Sequence, residues 1–272
     1  MLAGQEGFAG GWLFGLVVLG VAGLFAWGLY AARKKRERLA AFAASIGWTY
    51  ESSAPQLVGR WRGQPFNLGD SKRASHLMAG THRGRHAAAF EYQYSTGSGK
   101  SRSTTVLTVT MLALPTYLPD LEITNEGLGA RIAKVFGGQD IQFESEEFNR
   151  RWRVEAAVRK TAHDIVHPRF MEFMVAGPSD PLRFEGTDVW TWHLGGISVV
   201  PLHERLDRLA RAVDLIPRHV WQDHGHDPHP AAGGTPGTSG SPVTGGSPGT
   251  GGAPGAAGSP GTGGTPGAGE TA

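Results

Sequence analysis

The sequence contains no cysteine among its 272 residues. Its absence excludes a disulfide framework, thiolate zinc ligands and a cysteine nucleophile. Charge is also scarce in two long stretches. Residues 11–32 are apolar and uncharged, and residues 231–272 carry a single charge at Glu270. The chain therefore divides by composition before any motif is considered.

The C-terminal stretch lacks bulky apolar side chains as well as charge. Residues 225–272 are rich in Gly, Pro, Ser and Thr. Such a segment buries too little apolar surface to offset the entropy of ordering, so we predict a disordered, low-complexity tail. The remaining residues 39–224 fall within the usual size range of one globular domain.

The apolar stretch has the length of a membrane span. About 20 apolar residues cross the hydrocarbon core of a bilayer, which residues 11–32 match. Trp12 lies near one end of the stretch, and Trp27 and Tyr30 lie near the other, where aromatic rings favour the headgroup level. We predict one transmembrane helix over residues 11–32, preceded by a short extracytoplasmic N-terminus of residues 1–10.

A basic juxtamembrane segment, residues 33–38, follows the predicted span. Its five cations against Glu37 leave a net charge of +4, which exceeds the +2 of the whole chain. The globular region is therefore close to neutral, and this argues against nucleic acid as a partner. The positive-inside rule predicts a cytoplasmic domain in the cell membrane, and the same cations also attract anionic lipid. They are Arg33, Lys34, Lys35, Arg36 and Arg38.

A cleaved signal peptide is the alternative interpretation of the apolar stretch. It requires basic residues before the stretch, whereas Glu6 is the only charge there, so the pattern favours a retained single-pass anchor. Gly11 with Gly15 and Ala22 with Ala26 have the spacing of close helix contacts, which predicts weak self-association through the transmembrane helix.

The globular region alternates strand and helix patterns and predicts an α+β fold, an antiparallel sheet with helices packed on one face. In the clearest strand pair, Phe90, Tyr92 and Tyr94 share one face. Pro168 is expected to break a helix over residues 161–175. The predicted strands are residues 56–62, 75–81, 86–94, 104–112 and 151–156, with a hairpin of 182–184 and 189–194. The predicted helices are residues 39–46, 126–136, 161–175 and 202–216.

No motif in the sequence predicts catalysis or ligation. Residues 97–101 resemble the end of a phosphate-binding loop, but Tyr94 replaces the required first glycine and the string joins two strands. His224, His226 and His229 could bind a metal, but they lie where the domain gives way to the predicted tail. We assign no catalytic, cofactor-binding or metal-ligating residue.

Two further groups have a chemical and a structural interpretation. The carboxylates at residues 144–147 and the histidines His163 and His167 are side chains of the types that act as general acids or bases. Ser145 followed by Glu146 and Glu147 is also an ordinary helix start, and this structural interpretation is favoured.

Several segments together resemble a family of uncharacterised actinobacterial membrane-anchored proteins. They are the anchor with its basic residues, YQYSTG at 92–97, GGQDIQFESEEFNR at 137–150, HPRFM at 167–171 and PRHVW at 217–221. The resemblance covers nearly the whole domain. It implies the location and the fold, and it supplies no catalytic residue because the family's domain is of unknown function.

Three functions stay open at the level of sequence. The favoured hypothesis is a membrane-tethered, non-enzymatic adaptor or scaffold that binds a protein partner at the cytoplasmic membrane face. A lipid-binding module at the inner leaflet is the second hypothesis. The third is a membrane-associated hydrolase that uses His163 or His167 with the carboxylates of residues 144–147.

Overall fold

The computed structural model describes residues 6–125 and 141–227, with side chains from Phe14 onward. The helices within these ranges are α1 (Glu6–Ser45), α2 (Glu146–Arg151), α3 (Arg159–Ile165), α4 (Pro168–Ala176), α5 (Leu202–Asp214) and α6 (Arg218–Asp223). The strands are β1 (Thr49–Ser53), β2 (Asp70–His82), β3 (Arg85–Thr96), β4 (Ser103–Asn125), β5 (Trp152–Ala156) and β6 (Leu182–Leu194). The predicted helix over 126–136 and the predicted tail from residue 228 onward lie outside the described residues.

Helix α1 is one unbroken element of 40 residues. It contains a stretch that is long and apolar enough to cross a membrane, and none of that stretch is buried against the domain. The helix predicted separately over residues 39–46 is the last part of the same element. The helix ends at Ser45, and Gly47 follows it with a φ of 72° in the left-handed region that favours glycine.

All strand pairings in the sheet are antiparallel, in the order β1-β2-β3-β4-β5 with β6 also paired to β4. Strand β4 is 23 residues long and organises the sheet. Its first half pairs with β3, its last residues pair with β5, and β6 runs along most of its other side. The α+β architecture with an antiparallel sheet is as predicted.

The two faces of the sheet carry separate cores. The helices and the end of α1 cover one face, where Leu112, Phe148 and Leu209 belong to the larger cluster. On the other face, Phe90 and Tyr92 pack with Trp61 and Phe66 of the segment between β1 and β2. The shared face predicted for Phe90, Tyr92 and Tyr94 of β3 is therefore confirmed. All six tryptophans of the globular region are buried, at positions 48, 61, 152, 190, 192 and 221.

Two strand predictions are wrong. Residues 56–62 form no strand. A short 3-10 turn, Pro55–Leu57, overlaps their start, and Pro55 and Gly59 interrupt extended backbone. The predicted hairpin of 182–184 and 189–194 is the single strand β6, which bends where Gly186 takes a φ of 65° and its register against β4 shifts. Strand β1 was not predicted, because four of its five side chains are exposed and it lacks apolar alternation.

The predicted helix breaks and ends agree with the structure. Residues 161–175 divide into α3 and α4 at His167 and Pro168, where Pro168 occupies the first turn of α4. Helix α5 follows the apolar spacing predicted for residues 202–216 and buries Leu206 and Leu209. The short helix α6 after Pro217 is an addition that the sequence did not predict.

Candidate membrane-proximal site

Helix α1 connects the apolar stretch directly to the core of the domain. Leu39 is 3% exposed and Ala43 is fully buried in the larger core cluster, whereas the side chains of residues 16–34 are exposed. The backbone N–H of Trp48 donates to the carbonyl of Ala43 at 2.7 Å, which ties the end of the helix to the start of β1. The basic segment therefore lies on a rigid helix between the apolar stretch and the domain.

The carboxylate of Glu91 connects strand β3 to helix α1 and to the loop between β6 and α5. Lys35 Nζ of α1 donates to Glu91 Oε2 of β3 at 2.6 Å, and the backbone N–H of Ile197 donates to the same oxygen at 3.1 Å. The Glu91 side chain is only 15% exposed. A Cβ added to Gly196 would lie 2.9 Å from Glu91 Oε2. The loop can approach Glu91 this closely because residue 196 is glycine.

A tyrosine–histidine pair lies close to this ion pair. Tyr50 Oη and His76 Nδ1 are 2.8 Å apart. Burial lowers the pKa of His76, and the positive charge of Lys35 lowers it further. Burial also raises the pKa of Tyr50. The neutral forms of both side chains are therefore favoured beside the cations of α1.

A groove separates α1 from the loop between β6 and α5. One wall comes from α1, where Trp27, Tyr30, Lys34 and Arg38 recur at a spacing of three or four and share one face of the helix. The opposite wall is residues 197–199, and the groove has a volume of about 370 Å³. Aromatic and cationic side chains thus line the same groove along successive turns of one helix.

The cations of the basic segment differ in their partners. Arg33 pairs with Glu37 at 2.8 Å on the surface, and Lys35 pairs with Glu91. Within the described part of the chain, Lys34 and Arg38 form no ion pair with a carboxylate. Lys34 Nζ lies 5.9 Å from the centroid of the Tyr30 ring. Two cations therefore remain available to an anion at the groove.

A second, smaller apolar cavity of about 200 Å³ lies at the end of β6. Tyr94, Leu107, Trp192 and Leu194 line it, and Leu194 is 70% exposed. His193 also contributes to its lining, and burial lowers the pKa of this histidine. His193 Nδ1 is buried and has no hydrogen-bond partner among the described residues.

A fully buried arginine organises the far end of β6. Arg183 Nη1 donates to Glu122, its Nε donates to Glu185 at 3.0 Å, and its Nη2 lies 3.4 Å from Asp120. Glu185 also accepts hydrogen bonds from the backbone N–H groups of Arg62 and Gly63. Burial raises the pKa of Glu122 and of Asp120, and the charge of Arg183 opposes this shift. The network holds the segment between β1 and β2 on the sheet.

The two histidines and the segment of residues 144–147, which the sequence offered for acid–base chemistry, make the following contacts. Ser145 Oγ accepts from the backbone N–H of Phe148 and caps α2, as the structural interpretation predicted. His167 Nε2 lies 2.9 Å from the carbonyl oxygen of Leu215. The His163 ring is exposed and packs at 5.0 Å from the ring of Phe143.

The remaining motifs also have ordinary surroundings. Residues 97–101 connect β3 to β4, as predicted for a turn between strands. Asp227, beside the histidine-rich stretch, accepts hydrogen bonds from Arg218 at 2.9 and 2.7 Å. His229 lies outside the described residues. In residues 6–125 and 141–227, no group of three His, Asp or Glu side chains is arranged to hold a metal ion.

The amino-acid sequence identifies the cations of the site but not their partners. Glu91 follows Phe90 and precedes Tyr92, so strand alternation alone places it on the opposite face from the aromatic residues. Its contacts with Lys35 and Ile197 join residues 56 and 106 positions apart. No local pattern signals such pairings.

The comparisons with known proteins identify no family and no activity for this chain. No family model and no curated protein match the chain. A solved structure, the crystal structure of the mycobacterial trehalose monomycolate transport factor A, TtfA, is 17% identical with a TM-score of 0.43. The similarity covers 66% of this chain and 90% of that one. A likeness at this level does not bear on activity, and the actinobacterial family suggested by the sequence stays a prediction.

Proposed function

We propose that this chain is a single-pass membrane protein whose domain acts as a non-enzymatic adaptor, binding a protein partner at the cytoplasmic membrane face. The observation that carries this proposal is the continuity of α1 from the apolar stretch into the core at Leu39 and Ala43. A flexible linker allows a domain to reorient freely, whereas a continuous helix fixes its height and orientation. A partner at the membrane then meets one constant surface of the domain.

The cytoplasmic orientation rests on the basic segment. Residues 33–38 follow the apolar stretch directly, and Glu6 is the only charge before it. Positive residues are retained on the cytoplasmic side of membrane spans. Trp12, Trp27 and Tyr30 are assigned to the two membrane interfaces because aromatic rings favour the headgroup level.

In-cell proximity labelling tests the adaptor function, with the labelling enzyme fused after Ala272 of the full chain. We expect a coherent set of cytoplasmic or membrane proteins. A flexible Gly/Ser segment inserted between Arg38 and Leu39 is expected to remove this set, because it uncouples the domain from the helix. The same segment inserted after Ser98, in the turn between β3 and β4, is the matched control and is expected to preserve the set.

Two outcomes contradict the proposal. Labelling no richer than that of an unrelated membrane-anchored control excludes the adaptor role. A labelled set that survives the insertion after Arg38 shows that the rigid connection is irrelevant to partner binding.

The groove beside α1 favours a second function, a lipid-binding module at the inner leaflet. Its aromatic rings, with Lys34 and Arg38 that have no carboxylate partner in residues 6–125 and 141–227, suit an amphipathic ligand with an anionic group. The hydrolase hypothesis gains no such support. His167 Nε2 lies 2.9 Å from the carbonyl oxygen of Leu215, and the exposed His163 ring packs against the ring of Phe143.

A further inference from the structure

We propose that the groove between α1 and residues 197–199 binds one anionic phospholipid of the leaflet next to the domain. This inference rests on the membrane-anchored placement proposed above. It adds a defined ligand class and a defined site to that placement.

The level of the groove along α1 fits this ligand. Helix rise places Lys34 about 6 Å beyond Tyr30, and Arg38 about 6 Å further along the same face. The headgroup layer on each side of a bilayer is about 5–8 Å thick. With Trp27 and Tyr30 at the hydrocarbon boundary, Lys34 lies at the level of the lipid phosphates. The backbone of Arg38 lies about 12 Å beyond Tyr30, outside the headgroup layer, but helical side chains tilt toward the helix N-terminus and a long cationic side chain reaches back to the phosphates.

The chemistry of the walls also fits. Trp27 and Tyr30 provide an apolar surface for acyl chains or glycerol, and Ser198 offers an exposed hydroxyl group. Lys34 and Arg38 have no carboxylate partner among the described residues, so their charges are free to pair with a phosphate. A zwitterionic lipid places a positive group beside its phosphate and gains less from these two cations.

The loop wall is held in place before any lipid binds. Ile197 is buried at 7% exposure, and its backbone N–H bonds to Glu91. The Gly195 N–H donates to the carbonyl of Val106, and Thr108 Oγ1 donates to the carbonyl of Gly195. These bonds fix the loop side of the groove, which distinguishes it from a general electrostatic attraction of basic residues to the membrane.

Native mass spectrometry of the purified full chain tests the site, with phosphatidylglycerol and phosphatidylcholine offered in equal amounts from nanodiscs. We expect one phosphatidylglycerol retained per chain, in preference to phosphatidylcholine. The double variant Lys34→Gln/Arg38→Gln is expected to bind phosphatidylglycerol about 25-fold more weakly, since each cation at an anionic surface contributes about a factor of five.

The matched control is Arg33→Gln/Arg36→Gln. It removes the same charge from the same segment, but Arg33 pairs with Glu37 and Arg36 lines a different surface with Ser52 and Arg73. This variant is expected to retain phosphatidylglycerol. Equal losses in the two double variants indicate general electrostatic attraction and overturn the proposal.

A second pair of variants tests the loop wall. Val199→Asp places a carboxylate in the groove and is expected to abolish retention, whereas Val200→Asp, at an 83% exposed neighbour outside the groove, is expected to preserve it. Unchanged unfolding midpoints confirm that the variants fold. Retention of phosphatidylglycerol by Val199→Asp overturns the proposal. Because these measurements involve no protein partner and nanodiscs offer both leaflets, they are independent of the adaptor role and of the orientation.

Discussion

Lys35 of helix α1 donates a 2.6 Å hydrogen bond to Glu91 of strand β3. The same carboxylate oxygen accepts the backbone N–H of Ile197, so one half-buried ion pair connects the helix, the sheet and the loop that forms the groove. Together with the burial of Leu39 and Ala43, this contact makes the last turns of α1 part of the domain.

Loss of this ion pair is expected to destabilise the domain. The variant Lys35→Met removes the cation and leaves Glu91 largely buried with a single N–H donor. We expect the free energy of unfolding to fall by about 1–3 kcal/mol, as for other hydrogen bonds to charged groups. Denaturant titration of the full chain in detergent, followed by tryptophan fluorescence, measures the change. Arg33→Met breaks the exposed pair with Glu37 and is expected to have little effect, so equal losses would contradict the role of Lys35.

The buried arginine is expected to be essential for stability. Arg183 is completely buried and faces Glu122, Asp120 and Glu185. The variant Arg183→Met leaves these carboxylates without their cation, which we expect to cost about 3–5 kcal/mol in the free energy of unfolding. Circular dichroism melting of the full chain measures the loss.

The control for Arg183 is Lys160→Met. Lys160 is 71% exposed and pairs with Asp164 and Asp223 on the surface. Its removal is expected to leave the melting temperature nearly unchanged. A melting temperature of Arg183→Met close to that of the wild type would show that the network contributes little.

The stability of the domain is expected to fall on mild acidification. Burial lowers the pKa of His76 and His193, and Lys35 and Arg205 respectively lower it further. A histidine with a lowered folded pKa takes up its proton more readily in the unfolded chain. Its stabilising contribution is therefore complete above the unfolded pKa of about 6.5 and is lost as the pH falls through the folded pKa.

Denaturant titrations from pH 7.5 to about 5 test this expectation. The variant His76→Gln/His193→Gln is expected to show a flatter loss of stability than the wild type, and the exposed His163→Gln is the control. Asp120 and Glu122, whose pKa values burial raises, act in the opposite direction, but they are common to all three proteins and cancel in the difference. If the free energy of unfolding fell with pH equally in the double variant and the wild type, His76 and His193 would not be the cause of the loss.

Local sequence patterns predicted the parts of the fold that local physics determines. Phe90 and Tyr92 alternate with smaller or polar residues, and the face they share is buried as expected. Pro168 breaks the helix between α3 and α4 because its ring is incompatible with a helix interior. Ser145 caps α2 by the hydrogen bond that its sequence context suggests.

Predictions failed where long-range pairing decides the structure. Strand β6 continues through Gly186 because β4 provides a partner along its whole length, and turn residues alone suggested a hairpin. For the candidate site, the aromatic and basic residues of α1 were found from composition and spacing. The groove could not be predicted from the sequence, because its other wall, residues 197–199, is about 160 positions further along the chain.

The absence of native cysteine makes single-cysteine labelling the most direct test of the membrane-anchored, cytoplasmic arrangement. Cysteine is introduced at Gln5, before the apolar stretch, or at the exposed Ser98 between β3 and β4. A membrane-impermeant maleimide applied to intact spheroplasts is expected to label Gln5→Cys alone, and to label both variants after detergent lysis. Labelling of Ser98→Cys in intact spheroplasts, or recovery of that variant in a soluble fraction without its first 32 residues, would contradict the account.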